Sequence, residues 1–225
     1  MSVTATSEFE TDVRAQDALA VGSKDLLCQP VAILYARSDS IYKTMEGCDV
    51  WDATRDARKF PGGMPVVAHP PCRAWGALSH MANPRPDEKD LARHAVKVIR
   101  EYGGVLEHPY ASKLWPDQKL PALGKRDEFG GFTVAIPQVW FGHCMEKNTK
   151  LYVCGCEPKD LPEIPLSFAT ATHAMGGKWL FDVKKRLGRD GIMREDARKG
   201  KDREGTPPAF AKWLVAVARQ CWHNS

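Results

Sequence analysis

An α/β fold with a mostly parallel sheet flanked by helices is the class this chain predicts, on three observations. Short apolar runs bounded by Gly and Pro alternate with stretches at helical spacing. The 225 residues, 43% of them hydrophobic, are enough for one domain with a single core. No internal repeat is visible.

Residues 1–29 lack periodicity and are expected to be disordered or loosely ordered. Val31 to Ala36 is a buried strand, and Ser38-Asp39-Ser40 caps a short helix to about Met45. Cys48 to Trp51 is a second strand, and Pro65 to Ala68 a third. Pro86-Asp87-Glu88 opens a helix to about Tyr102, with Leu91, Ala95, Val98 and Ile99 on one face. Gly103-Gly104 ends it and Val105-Leu106-Glu107 begins the next strand. Residues 111–131 read as a long loop, and Phe132 to Ile136 and Leu151 to Cys154 as strands. Pro158, Pro162 and Pro165 mark a further loop, and 155–204 is a loop-rich basic insertion. Thr206-Pro207-Pro208 starts a final helix on which Phe210, Leu214 and Val217 share a face. The expected organisation is one α/β domain over 31–220.

No apolar run reaches the ~20 residues a membrane helix needs, and the acidic N-terminal stretch is no secretory signal. Seven cysteines in such a chain imply reduced thiols and a cytoplasmic location. Net charge is +4, but Lys178 to Arg219 carries twelve Lys/Arg against six Asp/Glu. A basic region of that kind suits a polyanion such as nucleic acid, or is a solvated surface.

The chemistry-bearing stretch is His69-Pro70-Pro71-Cys72-Arg73-Ala74-Trp75-Gly76. Prolines cannot continue a ladder, so the chain turns just past the Pro65–Ala68 strand. That sets Cys72 at a strand's carboxyl end, where open α/β sheets bind ligands. Beside Arg73 its thiol is a candidate nucleophile, though most cysteines are small buried hydrophobes. Asp49 and Asp52, after the second strand, are candidates to hold a cofactor hydroxyl, or are loop acids. His143-Cys144 and Cys154-Gly155-Cys156 fit no zinc spacing, so no metal site is assigned.

Taken in order, four landmarks resemble the cytosine-C5 DNA methyltransferase family, in particular its short, divergent phage and prophage members. They are His69-Pro70-Pro71-Cys72, Val105-Leu106-Glu107-His108-Pro109, Ile136-Pro137-Gln138 with Leu151 to Gly155, and Gly205-Thr206-Pro207-Pro208. The resemblance implies a Rossmann-like methyltransferase-type core, double-stranded DNA as partner and a flipped-out pyrimidine as target. It makes Cys72 the nucleophile that adds to C6 and Glu107 the acid that supports the ring, with Arg73 assisting the thiolate. His69, Trp75, His108, Gln138, His143 and Lys147 become candidates for binding DNA or the base, with Trp115 and Trp140 as further stacking candidates. It also implies S-adenosylmethionine as donor, yet Tyr35 to Ser40 lacks the family's glycine-rich turn.

Two versions of the activity therefore stand. One methylates cytosine. The other uses the same thiol addition to expel a leaving group from a 5-substituted pyrimidine, which an amine or amino acid then replaces, with no methyl donor. A non-catalytic DNA-binding or anti-restriction protein is the reading from a different class.

Overall fold

A computed structural model describes residues 29–76, 79–143, 145–166, 173–174 and 205–222. The expected disorder of 1–28 and most of the basic insertion, 167–172 and 175–204, lie outside these residues, as does Cys144. The strands are β1 (Val31–Ala36), β2 (Cys48–Asp52), β3 (Val66–Ala68), β4 (Gly104–Pro109), β5 (Phe132–Pro137), β6 (Met145–Glu146), β7 (Asn148–Cys154) and β8 (His173–Ala174). The helices are α1 (Glu88–Tyr102), α2 (Leu114–Asp117) and α3 (Pro208–Gln220). Six strands form one sheet in the order β2-β1-β3-β4-β7-β5, and β6 and β8 form a separate two-residue ribbon.

The sheet is mixed: three of its five strand pairings are parallel, and β7 alone runs against the other five strands. β2, β1, β3 and β4 are parallel, whereas β7 runs antiparallel to both β4 and β5. The cause is connection length. Parallel neighbours need a crossover of roughly a dozen residues or more, usually helical, and the described residues of 138–147, between β5 and β7, hold no crossover helix. Within the long expected loop the structure adds α2.

Alternation along the strands divides the core into two layers. Val31, Ile33, Val67 and Val105 face α3, where they meet Phe210, Leu214 and Val217. Ala32, Leu34, Ala68 and Leu106 face α1, where they meet Ala92, Val96 and Ile99. Helices thus cover both faces, an α/β arrangement. None of the described helices is long and apolar enough to cross a membrane.

Gly104 shows why the junction between α1 and β4 is glycine. It has φ +131°, and a Cβ there would lie 2.0 Å from the Val66 carbonyl oxygen. A side chain would push β4 away from β3. Close docking of these two strands sets the geometry of His69, just past β3, and of Glu107, within β4.

Candidate active site

Chain order β1-β2 builds outward on one side of the sheet and β3-β4 on the other. The carboxyl ends of β1 and β3 therefore flank the topological switch point, where α/β sheets bind ligands. β3 stops after three residues because His69-Pro70-Pro71 follows, and proline has no N–H to give a neighbour. The His69 N–H is still used, donating to the Leu34 carbonyl at 3.0 Å.

Register brings the polar side chains together. Val67 pairs with Val105 and Ala68 with Leu106. Two residues beyond Val67 and Val105 stand His69 and Glu107, on the α3 face by alternation. His69 Nδ1 lies 3.3 Å from Glu107 Oε2, and the Tyr42 hydroxyl lies 2.9 Å from His69 Nε2. From the other side Gln138 Nε2 donates to Glu107 Oε1 at 3.1 Å. Gln138 is held there because its own N–H donates to the Lys147 carbonyl at 2.9 Å, at the turn into β7. The result is a chain of four side chains, Tyr42–His69–Glu107–Gln138, drawn from four separate segments.

Glu107 is 9% exposed and Gln138 1%. Burial alone pushes the Glu107 carboxyl up, but the His69 hydrogen bond, the Lys147 charge and the imidazoles of His69 and His108 outweigh it and hold it at about 2. Glu107 is therefore a carboxylate at neutral pH. Burial pushes the Tyr42 hydroxyl well above its ordinary range, so it stays protonated. The Gln138 Oε1 is buried with no partner among the described residues.

Cys72 lies three residues past His69 and is exposed. It precedes a 3-10 turn, Arg73–Trp75, and its carbonyl accepts the Trp75 N–H at 3.0 Å. The Pro71 backbone beside it faces the His108 ring, favouring the protonated imidazole. Arg73 is ion-paired with the buried Glu88 of α1, so its charge is directed at that acid.

Several expected site residues belong to other structure. Trp75, 2% exposed, packs in the α1-side core, and Trp115 is buried with its Nε1 donating to the Pro109 carbonyl at 2.9 Å. Neither indole reaches a solvent-borne base. The 3-10 turn directs Trp75 inward while Cys72 stays outside. His108 is 1% exposed, and by alternation it faces α1, away from Glu107. Neither of its ring nitrogens has a full hydrogen bond, and burial lowers its pKa to about 4 against opposing effects of Glu107 and Pro71. It is a neutral imidazole buried in the core. His143 is buried near the chain, its N–H donating to the Gln138 carbonyl at 3.3 Å. Lys147 is half-buried and bears on Glu107 through its charge.

Asp52 accepts from Lys43 Nζ at 2.7 Å and from the N–H groups of Thr54 and Arg55 at 2.9 and 3.3 Å. Asp49 accepts from Trp51 Nε1 at 2.8 Å and is paired with Arg55. Asp52 thus closes the turn after β2, and Asp49 accepts from two side chains beside it. Trp140 is 40% exposed, in a cleft of ≈ 430 Å³ along β5 with Pro162, Ile164 and Trp213. That cleft is lined by none of Cys72, His69 or Glu107.

Tyr42 is the member of the chain that sequence reasoning missed. It lies in the 3-10 turn Ile41–Thr44 after β1, a segment read only as a short capped helix. Its sole signal is an aromatic hydroxyl directly after a buried strand, beside the switch point. No family model, curated protein or solved structure matches the chain.

Proposed function

We propose that the protein is a DNA-modifying transferase that works at the 5-position of a pyrimidine base through a Cys72 adduct at C6. One observation carries the reading: an exposed thiol, on a proline-stiffened loop at a switch point, stands three residues from a histidine that grips a buried carboxylate. The motif order set out above supports a methyltransferase-like core, and so do the four parallel strands leading to these ends.

The β1 and β2 ends do not fit S-adenosylmethionine. The turn after β1 holds Tyr35 at φ +61° with its hydroxyl 2.7 Å from His94 Nδ1, where a cradle would need bare backbone. Asp49 and Asp52 already have their donors. The eleven residues that join β1 to β2 hold one four-residue 3-10 turn, Ile41–Thr44, and no α-helix. These observations favour the version that needs no methyl donor.

In that version the Cys72 thiolate forms an S–C6 bond, and the C5=C6 electrons move toward C4 and its substituent. They return to expel the leaving group from the 5-methylene with its electron pair, leaving an exocyclic C5=CH2. An amine adds to that carbon and loses a proton, and the restored enolate expels the thiolate. Glu107 and its donors hold the ring edge during these charge movements. The extruded base costs a few kcal/mol of unstacking.

The test is duplex DNA carrying a 5-(pyrophosphoryloxymethyl)pyrimidine, incubated with the protein and a polyamine. Pyrophosphate release and a denaturation-resistant protein–DNA adduct are expected, and both vanish in Cys72→Ala. A Cys72→Ala protein that keeps full activity, or methyl incorporation from S-adenosylmethionine into unmodified DNA, refutes this version.

A further inference from the structure

We infer that the target base is a 4-oxo pyrimidine, of the uracil or thymine type, recognised through its N3–H by the Glu107 carboxylate. The inference rests on the proposed Cys72 chemistry and adds the identity of the ring. Its ground is the donor–acceptor pattern around Glu107. Oε1 accepts the Gln138 amide N–H at 3.1 Å, and Oε2 faces His69 Nδ1 at 3.3 Å.

The far end of the chain settles which way the protons point. Tyr42 is fully buried and its hydroxyl stays protonated, so we assign it as donor to His69 Nε2. An imidazole that accepts at Nε2 carries its proton at Nδ1 and donates to Glu107. Glu107 therefore receives a donor on each oxygen, the arrangement that stabilises an anion. A carboxylic acid proton on Oε2 would instead collide with the Nδ1 proton. The groups that bear on Glu107 agree in sign: Lys147 from the turn before β7 favours the anion by its charge, and His69 after β3 and His108 beside it favour it whenever they are protonated. The neighbouring Gln138 Oε1, buried and without a donor among the described residues, adds a further acceptor.

An edge made of acceptors selects a ring that presents hydrogens. Cytosine has a bare N3 lone pair, and thiolate addition at C6 places negative charge on that nitrogen, facing an anion. A 4-oxo base keeps its N3–H through the reaction and moves the developing charge to O4, away from the carboxylate. A site built to receive an N–H rejects the analogue lacking it by several orders of magnitude.

The experiment compares two duplexes, identical except for 5-(pyrophosphoryloxymethyl)uracil or 5-(pyrophosphoryloxymethyl)cytosine at one position, with wild-type protein. Pyrophosphate release and Cys72 adduct are expected at least about 10²-fold faster with the uracil form. Glu107→Gln offers both C=O and NH2, so it should narrow that ratio to within about tenfold while His69 and Gln138 remain. Equal rates, or a preference for the cytosine form, overturn the inference and leave the Cys72 reading standing. No Cys72-dependent release from either duplex overturns the reading beneath it. The wild-type ratio alone decides, should Glu107→Gln not fold.

Discussion

Glu107 at the end of β4 and Asp52 at the end of β2 are both buried acids on the carboxyl edge of one sheet, yet their donors differ in kind. Asp52 is held by Lys43 and by the backbone N–H groups of Thr54 and Arg55, all within nine residues. Among the described residues, Glu107 is held by side chains, from His69 and Gln138, 38 and 31 residues away. Local backbone donors are what a turn needs to close itself. Donors brought in by the tertiary fold serve nothing local. An acid whose partners are all distant side chains is one the fold has positioned, and Cys72 is three residues from one of those partners.

The largest effect that separates the two ends is on chemistry. Cys72→Ala should cut transfer by at least about 10³-fold, as loss of a covalent nucleophile does, with thermal stability unchanged because the thiol is exposed. Asp52→Asn, at the other end, should leave turnover within about twofold. Transfer assays on both variants check this, and an Asp52→Asn loss as large as that of Cys72→Ala would erase the distinction.

Acid unfolding is the next contrast, and it falls in two windows. His108 has a folded pKa near 4, below its unfolded value of about 6.5. Its neutral form is what the fold stabilises, so that contribution is complete above pH ~6.5 and is lost as pH falls toward 4. Glu107 has a folded pKa of about 2 against about 4.3 unfolded. Its contribution is complete above pH ~4.3 and is lost as pH falls toward 2. Each contributes on the order of 3 kcal/mol. Denaturant midpoints between pH 7 and 3 should fall in both windows, and His108→Leu should remove the upper one alone. A His108→Leu curve that still drops between pH 6.5 and 4 would assign that window elsewhere.

A smaller effect weighs the two acids directly. Glu107→Ala strands the His69 and Gln138 donors in a buried site and should cost roughly 2–3 kcal/mol. Asp52→Ala removes a turn acceptor and should cost about 1 kcal/mol. Urea titrations of the pair give the difference. Equal costs would mean that distant donors have no special standing here.

Much of this was legible because apolar runs and prolines mark strand ends directly. The six strands of the main sheet, α1 and α3 all stand where short apolar runs or three-and-four spacing predict them. The direction of β7 is readable only from connection length, since its own residues would suit a parallel strand equally well. His69, Glu107 and Gln138 were named one by one, but nothing in a linear text says that a register pairing Val67 with Val105 brings two of them together. Trp75 and Cys72 are equally conspicuous in the motif. One 3-10 turn buries the first and exposes the second, and turn geometry on that scale carries no periodic signal.

Tyr42 sharpens the comparison most finely, because it touches neither acid. Its hydroxyl reaches Glu107 only through His69, by fixing which imidazole nitrogen carries the proton. Tyr42→Phe keeps the ring in the α3-side core and deletes one oxygen. The expected cost is about 1 kcal/mol, the worth of one buried hydrogen bond. With no donor at Nε2, the imidazole is free to place its proton on either nitrogen. Nitrogen NMR of His69 should then show mixed tautomers, where the native protein shows Nδ1–H alone. A Phe variant with an unchanged tautomer would mean that Glu107, not Tyr42, orients the ring. The direction of control along the chain would then run from the acid outward.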